Sequence, residues 1–290
     1  MSAFRRCALV VSALWFFQNI SPALADVVES KLASGIVATA DYRKGQPEKP
    51  AVLILHGFLQ TRDFPIIHSL TEGLSGSGYT VLAPTLSLGI NKRGKSLPCE
   101  AVHTHTMESD VDEVEHWVDW LQSRGHKKIV LIGHSFGGID LAACVNAHPN
   151  PAVQKLILFS LKDLEYALWD ASQRIDTTSA KARLKRKNRA LGTYQLSFCR
   201  KYTAPAAAYL SYASWTESRL LHLLAGIRTP IEVYLGAHDI HFQQDWPARV
   251  GGTGALVTVI PGANHFFDGP SEFDLLEKIE RSLKSLRREN

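Results

Sequence analysis

The sequence predicts an α/β fold with a mostly parallel sheet covered by helices on both faces. Two observations predict it: short, continuous, branched apolar runs alternate with helical patterns, and a glycine-flanked serine sits where one such run turns into a helix. The runs are Ala51 to Leu55, Thr80 to Ala83, Lys128 to Ile132, Lys155 to Phe159, Ile231 to Leu235 and Leu256 to Ile260. Unbroken apolar segments of this length suit strands buried on both sides. A further pair around Ser30 to Tyr42 reads as an antiparallel edge. Glu108 to Gln122 spaces Val111, Val114, Val118 and Leu121 three and four apart, and Ser271 to Leu286 does the same with Phe273, Leu276, Ile279 and Leu283. Both are amphipathic helix patterns.

The alternation breaks once. Residues 161–228 hold no convincing strand, only helical or irregular sequence rich in Ala, Tyr, Trp and basic residues, and they read as an insert over one end of a core formed by 26–160 and 229–290. Before the core, Arg5 and Arg6 precede the apolar run Cys7 to Phe17, and Ala23-Leu24-Ala25 is a small-x-small cleavage pattern. This is the layout of a signal peptide, residues 1–25, cut after Ala25, and it implies an exported, periplasmic or secreted protein. Eleven apolar residues are too few to span a bilayer, which takes about 20.

Composition closes off other classes. Of 290 residues 45% are hydrophobic and 21% charged, which excludes disordered, collagenous and coiled-coil chains. A formal net charge of +4 is too small to imply a nucleic-acid partner. Lys181 to Arg189 packs six basic residues into nine; it reads as a solvated helix face, the sharper alternative being contact with an anionic membrane surface or an acidic substrate. In an exported chain Cys99 and Cys199, both in loop-like segments, are the candidates for a disulfide, and three free thiols is the alternative. Cys144 follows the serine motif on a helix and reads as a small core residue.

The chemistry is concentrated at Gly133-His134-Ser135-Phe136-Gly137-Gly138, directly after one strand and before the helix Ile139 to Ala147. A serine in a sharp strand-to-helix turn has a strained backbone that projects its hydroxyl; Gly133 and Gly137 are needed where side chains would strike neighbouring elements. The Phe136 amide then lies at a helix N-terminus. His56-Gly57-Phe58 closes the strand Ala51 to Leu55, so the Phe58 amide is the second donor of an oxyanion hole, each donor worth about 2.7–4 kcal/mol in the transition state. His56 itself reads as a histidine bonded to backbone rather than as a base. Asp239, after Ile231 to Leu235, and His265, after Leu256 to Ile260, supply the orienting acid and the base, in the chain order Ser, Asp, His. Asp163 is the rival acid. His103-Thr104-His105 has the spacing of a metal pair, but without further clustered ligands it reads as solvent-facing or loop-bonded.

On His56-Gly57-Phe58, Gly133-His134-Ser135-Phe136-Gly137, Asp239 and His265 the chain resembles the α/β-hydrolase family. The resemblance implies an eight-stranded, mostly parallel sheet, a helical cap inserted after the sixth strand, and an acyl-serine intermediate hydrolysed by water with no metal or organic cofactor. The family also holds peptidases, thioesterases, dehalogenases and epoxide hydrolases, and a serine nucleophile argues against the last two. The expectation is an exported carboxylic-ester hydrolase acting on a small-molecule or lipid-like ester. The alternatives are an amidase, peptidase or thioesterase with the same triad, and a non-catalytic envelope binding protein. Tyr166, Trp169, Tyr209, Tyr212 and Trp215 either line an acyl pocket or form the cap's own core.

Overall fold

A computed structural model describes residues 26–241 and 243–286; the proposed signal peptide lies outside them. The chain opens with β1 (Asp26–Lys31) and β2 (Val37–Arg43), an antiparallel hairpin. It continues through β3 (Ala51–Leu55), α1 (Pro65–Gly76), β4 (Thr80–Thr85), α2 (Met107–Ser123), β5 (Ile129–His134), α3 (Phe136–Ala147) and β6 (Val153–Phe159). Between β6 and the last two strands come β7 (Tyr166–Ala167), β8 (Asp170–Arg174), α4 (Thr178–Lys185), β9 (Leu191–Leu196), β10 (Cys199–Pro205), α5 (Ala206–Ala213) and α6 (Glu217–Gly226). The core then resumes with β11 (Ile231–Gly236), α7 (Trp246–Gly251), β12 (Leu256–Ile260) and α8 (Ser271–Ser285).

Eight strands form one sheet in the order β1-β2-β4-β3-β5-β6-β11-β12, parallel from β4 onward and antiparallel at the β1–β2 edge. The strand period of two divides the apolar runs between two cores. Leu53, Leu55 and Leu131 pack toward α2, α3 and the insert, whereas Val52, Ile54, Val130 and Ile132 pack toward α1 and α8. Every residue of β3, β4 and β5 is buried, as the unbroken runs require, whereas Leu256 to Ile260, expected to be buried on both sides, forms the edge strand β12 and leaves Leu256 and Val259 exposed because no strand covers its outer side. In α8 the buried line is Leu275, Ile279 and Leu283, while Phe273, read from the sequence as part of the apolar face, is 66% exposed. Leu275 sets an i, i+4, i+8 line that leaves Phe273 about 160° away around the helix.

The insert corrects the expectation of a strandless, helical cap. It contains two antiparallel hairpins, β7–β8 and β9–β10, beside its helices. β9 buries Gly192, Tyr194 and Leu196 and exposes Leu191 and Thr193, a half-buried alternation without the contiguous branched run of the core strands. The basic run on and after α4 is largely exposed. Cys99 and Cys199 are joined in a disulfide that ties β10 to the loop before α2, and the His103 amide donates to the Thr203 carbonyl at 2.8 Å beside it. Cys144 is buried on α3, its thiol pushed up to about 12, chiefly by burial.

Glu113 of α2 is buried and accepts from the Ser87 amide at 2.9 Å and from the Ser87 hydroxyl at 2.5 Å. Burial pushes its carboxyl up to about 7 from the ordinary 4.5, against the pull of those hydrogen bonds. The folded state therefore holds a proton that the unfolded chain releases between these values. The group's contribution to stability is complete below about pH 4.5 and falls by ~3 kcal/mol as pH rises to 7. Glu113→Gln is expected to flatten this part of the pH dependence; urea unfolding of both proteins at pH 4.5 and 7 checks it, and parallel curves would refute it.

Candidate active site

Ser135 stands between β5 and α3 with φ 51° and ψ −120°, a conformation held because its amide donates to the Phe159 carbonyl at 2.8 Å. A β-carbon on Gly137 would lie 2.2 Å from the His56 carbonyl oxygen, and one on Gly133 would lie 2.7 Å from the Gly138 backbone. Both glycines are therefore dictated by backbone approach. The same crowding seats the His56-Gly57 loop against the serine turn, so that the Phe58 and Phe136 rings meet edge to face at 5.5 Å.

The loops after β11 and β12 are equally close. A β-carbon on Gly236 would lie 2.4 Å from the Ala263 carbonyl oxygen, and the His238 amide donates to that carbonyl at 2.8 Å. This brings Asp239 and His265 together at the strand ends where Ser135 emerges. His265 Nδ1 donates to Asp239 Oδ2 at 2.8 Å, and its Nε2 accepts from Ser135 Oγ at 3.1 Å. The three side chains expected to converge do so. The His265 backbone is fixed in turn: its carbonyl accepts from Ser160 Oγ at 2.6 Å and from His134 Nε2 at 3.1 Å. His134 is stacked between Phe159 and Phe64, and burial with the neighbouring His265 presses its pKa down to about 3, so it stays neutral.

The other candidates fall away from this line. His56 Nδ1 donates to the Gly57 carbonyl at 2.8 Å and its Nε2 accepts from the Leu86 amide at 3.1 Å; burial and then Arg93 lower its pKa to about 3. It is a neutral brace for the loop. Asp163 is fully buried against Lys162 and the Glu165 amide, not against His265. His103 stacks on Tyr202 at 4.2 Å, and His105 bonds the Tyr212 hydroxyl, which donates to Asp110 at 2.6 Å. That pair is buried and bonded, which corrects the solvent-facing half of the expectation. Among the five insert aromatics, Tyr209, Tyr212 and Trp215 are all buried in the core, and Tyr212 is the one that packs against the Phe136 ring, at 5.6 Å, and the Phe58 ring, at 6.0 Å.

Sequence reading missed three contributors. Phe198, at the β9–β10 turn, meets Phe58 at 5.9 Å. Arg93 is buried, with its guanidinium on the carbonyls of Gln60 at 2.7 Å and Leu86 at 2.5 Å, holding the loop after Phe58. His241 donates to Asp239 Oδ1 through both its amide, at 2.9 Å, and Nδ1, at 2.8 Å. The D-x-H spacing was the available signal for it, since a side chain two residues beyond an Asp can turn back onto the carboxylate. Burial raises the Asp239 pKa, but the bonds from His241 and His265 win and hold the carboxyl well below the usual carboxylate range. Asp239, His241 and His265 together, and separately Asp112, Glu115 and His148, place potential metal-donor atoms within 4.8 Å of one another.

Over residues 52–273 the sequence matches the alpha/beta hydrolase family. The chain belongs to that family. No curated protein matches this hydrolase. Solved structures similar to it include Est1E from Butyrivibrio proteoclasticus, at a TM-score of 0.63 and 16% identity over 90% of this chain and 99% of that one. The thioesterase domain from the curacin biosynthetic pathway aligns at 0.59 and 17% identity, over 88% of this chain and 99% of that one. DcsB in complex with its substrate analogue aligns at 0.67 and 14% identity, over 90% and 99%. At these identities the likeness is one of fold: the eight-stranded, mostly parallel sheet with flanking helices.

Proposed function

We propose that this hydrolase is an exported serine esterase that cleaves carboxylic esters through an acyl-serine intermediate. The observation that carries the reading is the unbroken bond chain from Ser135 Oγ through His265 to the buried carboxylate of Asp239. In it, Ser135 Oγ attacks the acyl carbon as its proton passes to His265 Nε2; Asp239 holds the tautomer and stabilises the imidazolium. The amides of Phe58 and Phe136 receive the oxyanion. His265 returns the proton to the departing alcohol, and water, activated by the same imidazole, hydrolyses the acyl group from Ser135. Water and the ester are the only reactants this scheme needs.

Esters are favoured because the solved structures of like fold include LipS and LipT, described as lipolytic enzymes, and Est1E with bound ferulic acid. Export is supported by the signal-peptide pattern and by the Cys99–Cys199 bond, since disulfides persist in oxidising compartments. The test is covalent labelling of the mature protein by a fluorophosphonate, expected to be stoichiometric and absent in Ser135→Ala. Turnover of nitrophenyl esters well above aminoacyl anilides is the expected companion result. Labelling that survives in Ser135→Ala would remove the assigned nucleophile, and a faster anilide rate would make the protein an amidase.

A further inference from the structure

We infer that Asp239, His241 and His265 form an arresting site for a divalent transition metal of the zinc class. The inference rests on the triad reading above and adds to it a ligand and a mode of control. The two oxygens of the buried Asp239 carboxylate each face an imidazole nitrogen, His265 Nδ1 on Oδ2 and His241 Nδ1 on Oδ1, both at 2.8 Å, with the two rings 4.7 Å apart at 69°. One donor atom from each residue lies within 4.8 Å of the others, and zinc binds such donors at roughly 2.0–2.2 Å, so an ion that takes the place of the two bridging protons, with the carboxylate–imidazole pairs opening slightly and the two ring nitrogens closing in, completes a three-ligand site. Two imidazoles and one carboxylate suit zinc and its neighbours, whereas magnesium and calcium take oxygen ligands. The His241 side chain is 18% exposed against 0% for Asp239, which makes His241 the side from which an ion enters.

The consequence follows from proton bookkeeping on the ring. A neutral imidazole carries one proton on two nitrogens. Without metal, the His265 proton sits on Nδ1 and the Nε2 lone pair faces Ser135. A cation on Nδ1 moves that proton to Nε2, and His241 shifts its own proton outward in the same way; two nitrogen–metal bonds form and the protein loses no proton. Ser135 then faces an N–H instead of a base. The ion sits on the side of the ring away from Ser135, so arrest lowers kcat and leaves KM in place.

Calorimetric titration of ZnCl2 into the full mature Ser135→Ala protein tests the site without catalysis, since all three donors remain. Zinc binding is expected there. It should weaken about 100-fold on adding His241→Asn, at least the loss seen when outer-shell partners of a metal site are removed. It should persist on adding His241→Cys, which keeps a donor, or Glu115→Gln, which disables the second cluster. In the wild type, ZnCl2 is expected to slow fluorophosphonate labelling and ester turnover through kcat, with EDTA restoring both. Zinc binding lost with Glu115→Gln, unchanged in His241→Asn while that variant is folded, or lost in His241→Cys while that variant is folded would overturn the site, as would inhibition through KM alone. Full activity in Ser135→Ala would instead overturn the triad reading, and the calorimetry would still decide the metal site.

Discussion

His265→Gln is expected to lower kcat for ester turnover by about a million-fold, the cost of deleting the base from a Ser-His-Asp unit. Glutamine can reach toward Ser135 Oγ, but its amide has no titratable lone pair, so the serine proton has no destination as the acyl carbon is attacked. Asp239→Asn is expected to cost less, about 10⁴-fold, and the geometry says how. The carboxylate receives three donors: the amide and Nδ1 of His241 on Oδ1, and Nδ1 of His265 on Oδ2. Asparagine keeps one oxygen, and the backbone amide of His241 cannot change its tautomer to suit an N–H, so that oxygen stays on the His241 side. The asparagine N–H then faces His265 Nδ1 and forces its proton onto Nε2, next to Ser135. Steady-state kinetics on a nitrophenyl ester reads both variants, and a His265→Gln rate within tenfold of wild type would contradict the assignment.

Why so much of this site was visible in the sequence is a matter of locality. Ser135 is marked by glycines whose positions the turn itself dictates, and Asp239 and His265 each follow a short branched apolar run that forms a strand of the sheet, buried in β11 and at the half-exposed edge in β12. Strand ends of a parallel sheet gather at one rim, so naming the strands also placed the loops. The insert obeys different physics. β9 and β10 are half-buried, and their hairpin gains its place from a disulfide and from aromatic packing on residues about 100 to 140 positions earlier, none of which leaves a local period. For the same reason Tyr212 and Phe198 could not be sorted in advance into core or site: what decides is the Phe58 ring on another element. His241 carries a weaker signal, since the D-x-H spacing that turns its ring back onto the second oxygen of Asp239 recurs in ordinary turns.

The second large effect concerns that disulfide. A Cys99→Ala/Cys199→Ala variant is expected to lose up to about 4.7 kcal/mol of stability, the loop-closure entropy of a link spanning roughly 100 residues. The bond spans 100 residues here, from the loop before α2 to the first residue of β10. Its loss should act mainly through the unfolded chain, because the Val102–Thr203 bridge and the His103 amide bond to Thr203 keep the hairpin registered in the folded state. With a few degrees of Tm per kcal/mol for a domain of this size, the thermal midpoint should fall by about 10–15 °C. Phe198 directly precedes Cys199 and packs on Phe58, so a weaker tether also loosens one of the rings against the proposed oxyanion loop, and KM for bulky esters should shift more than for acetate esters. Differential scanning calorimetry of the oxidised wild type against the double variant measures the first effect, and a midpoint unchanged within a degree would show that the two segments are held together in the unfolded ensemble by something other than this bond.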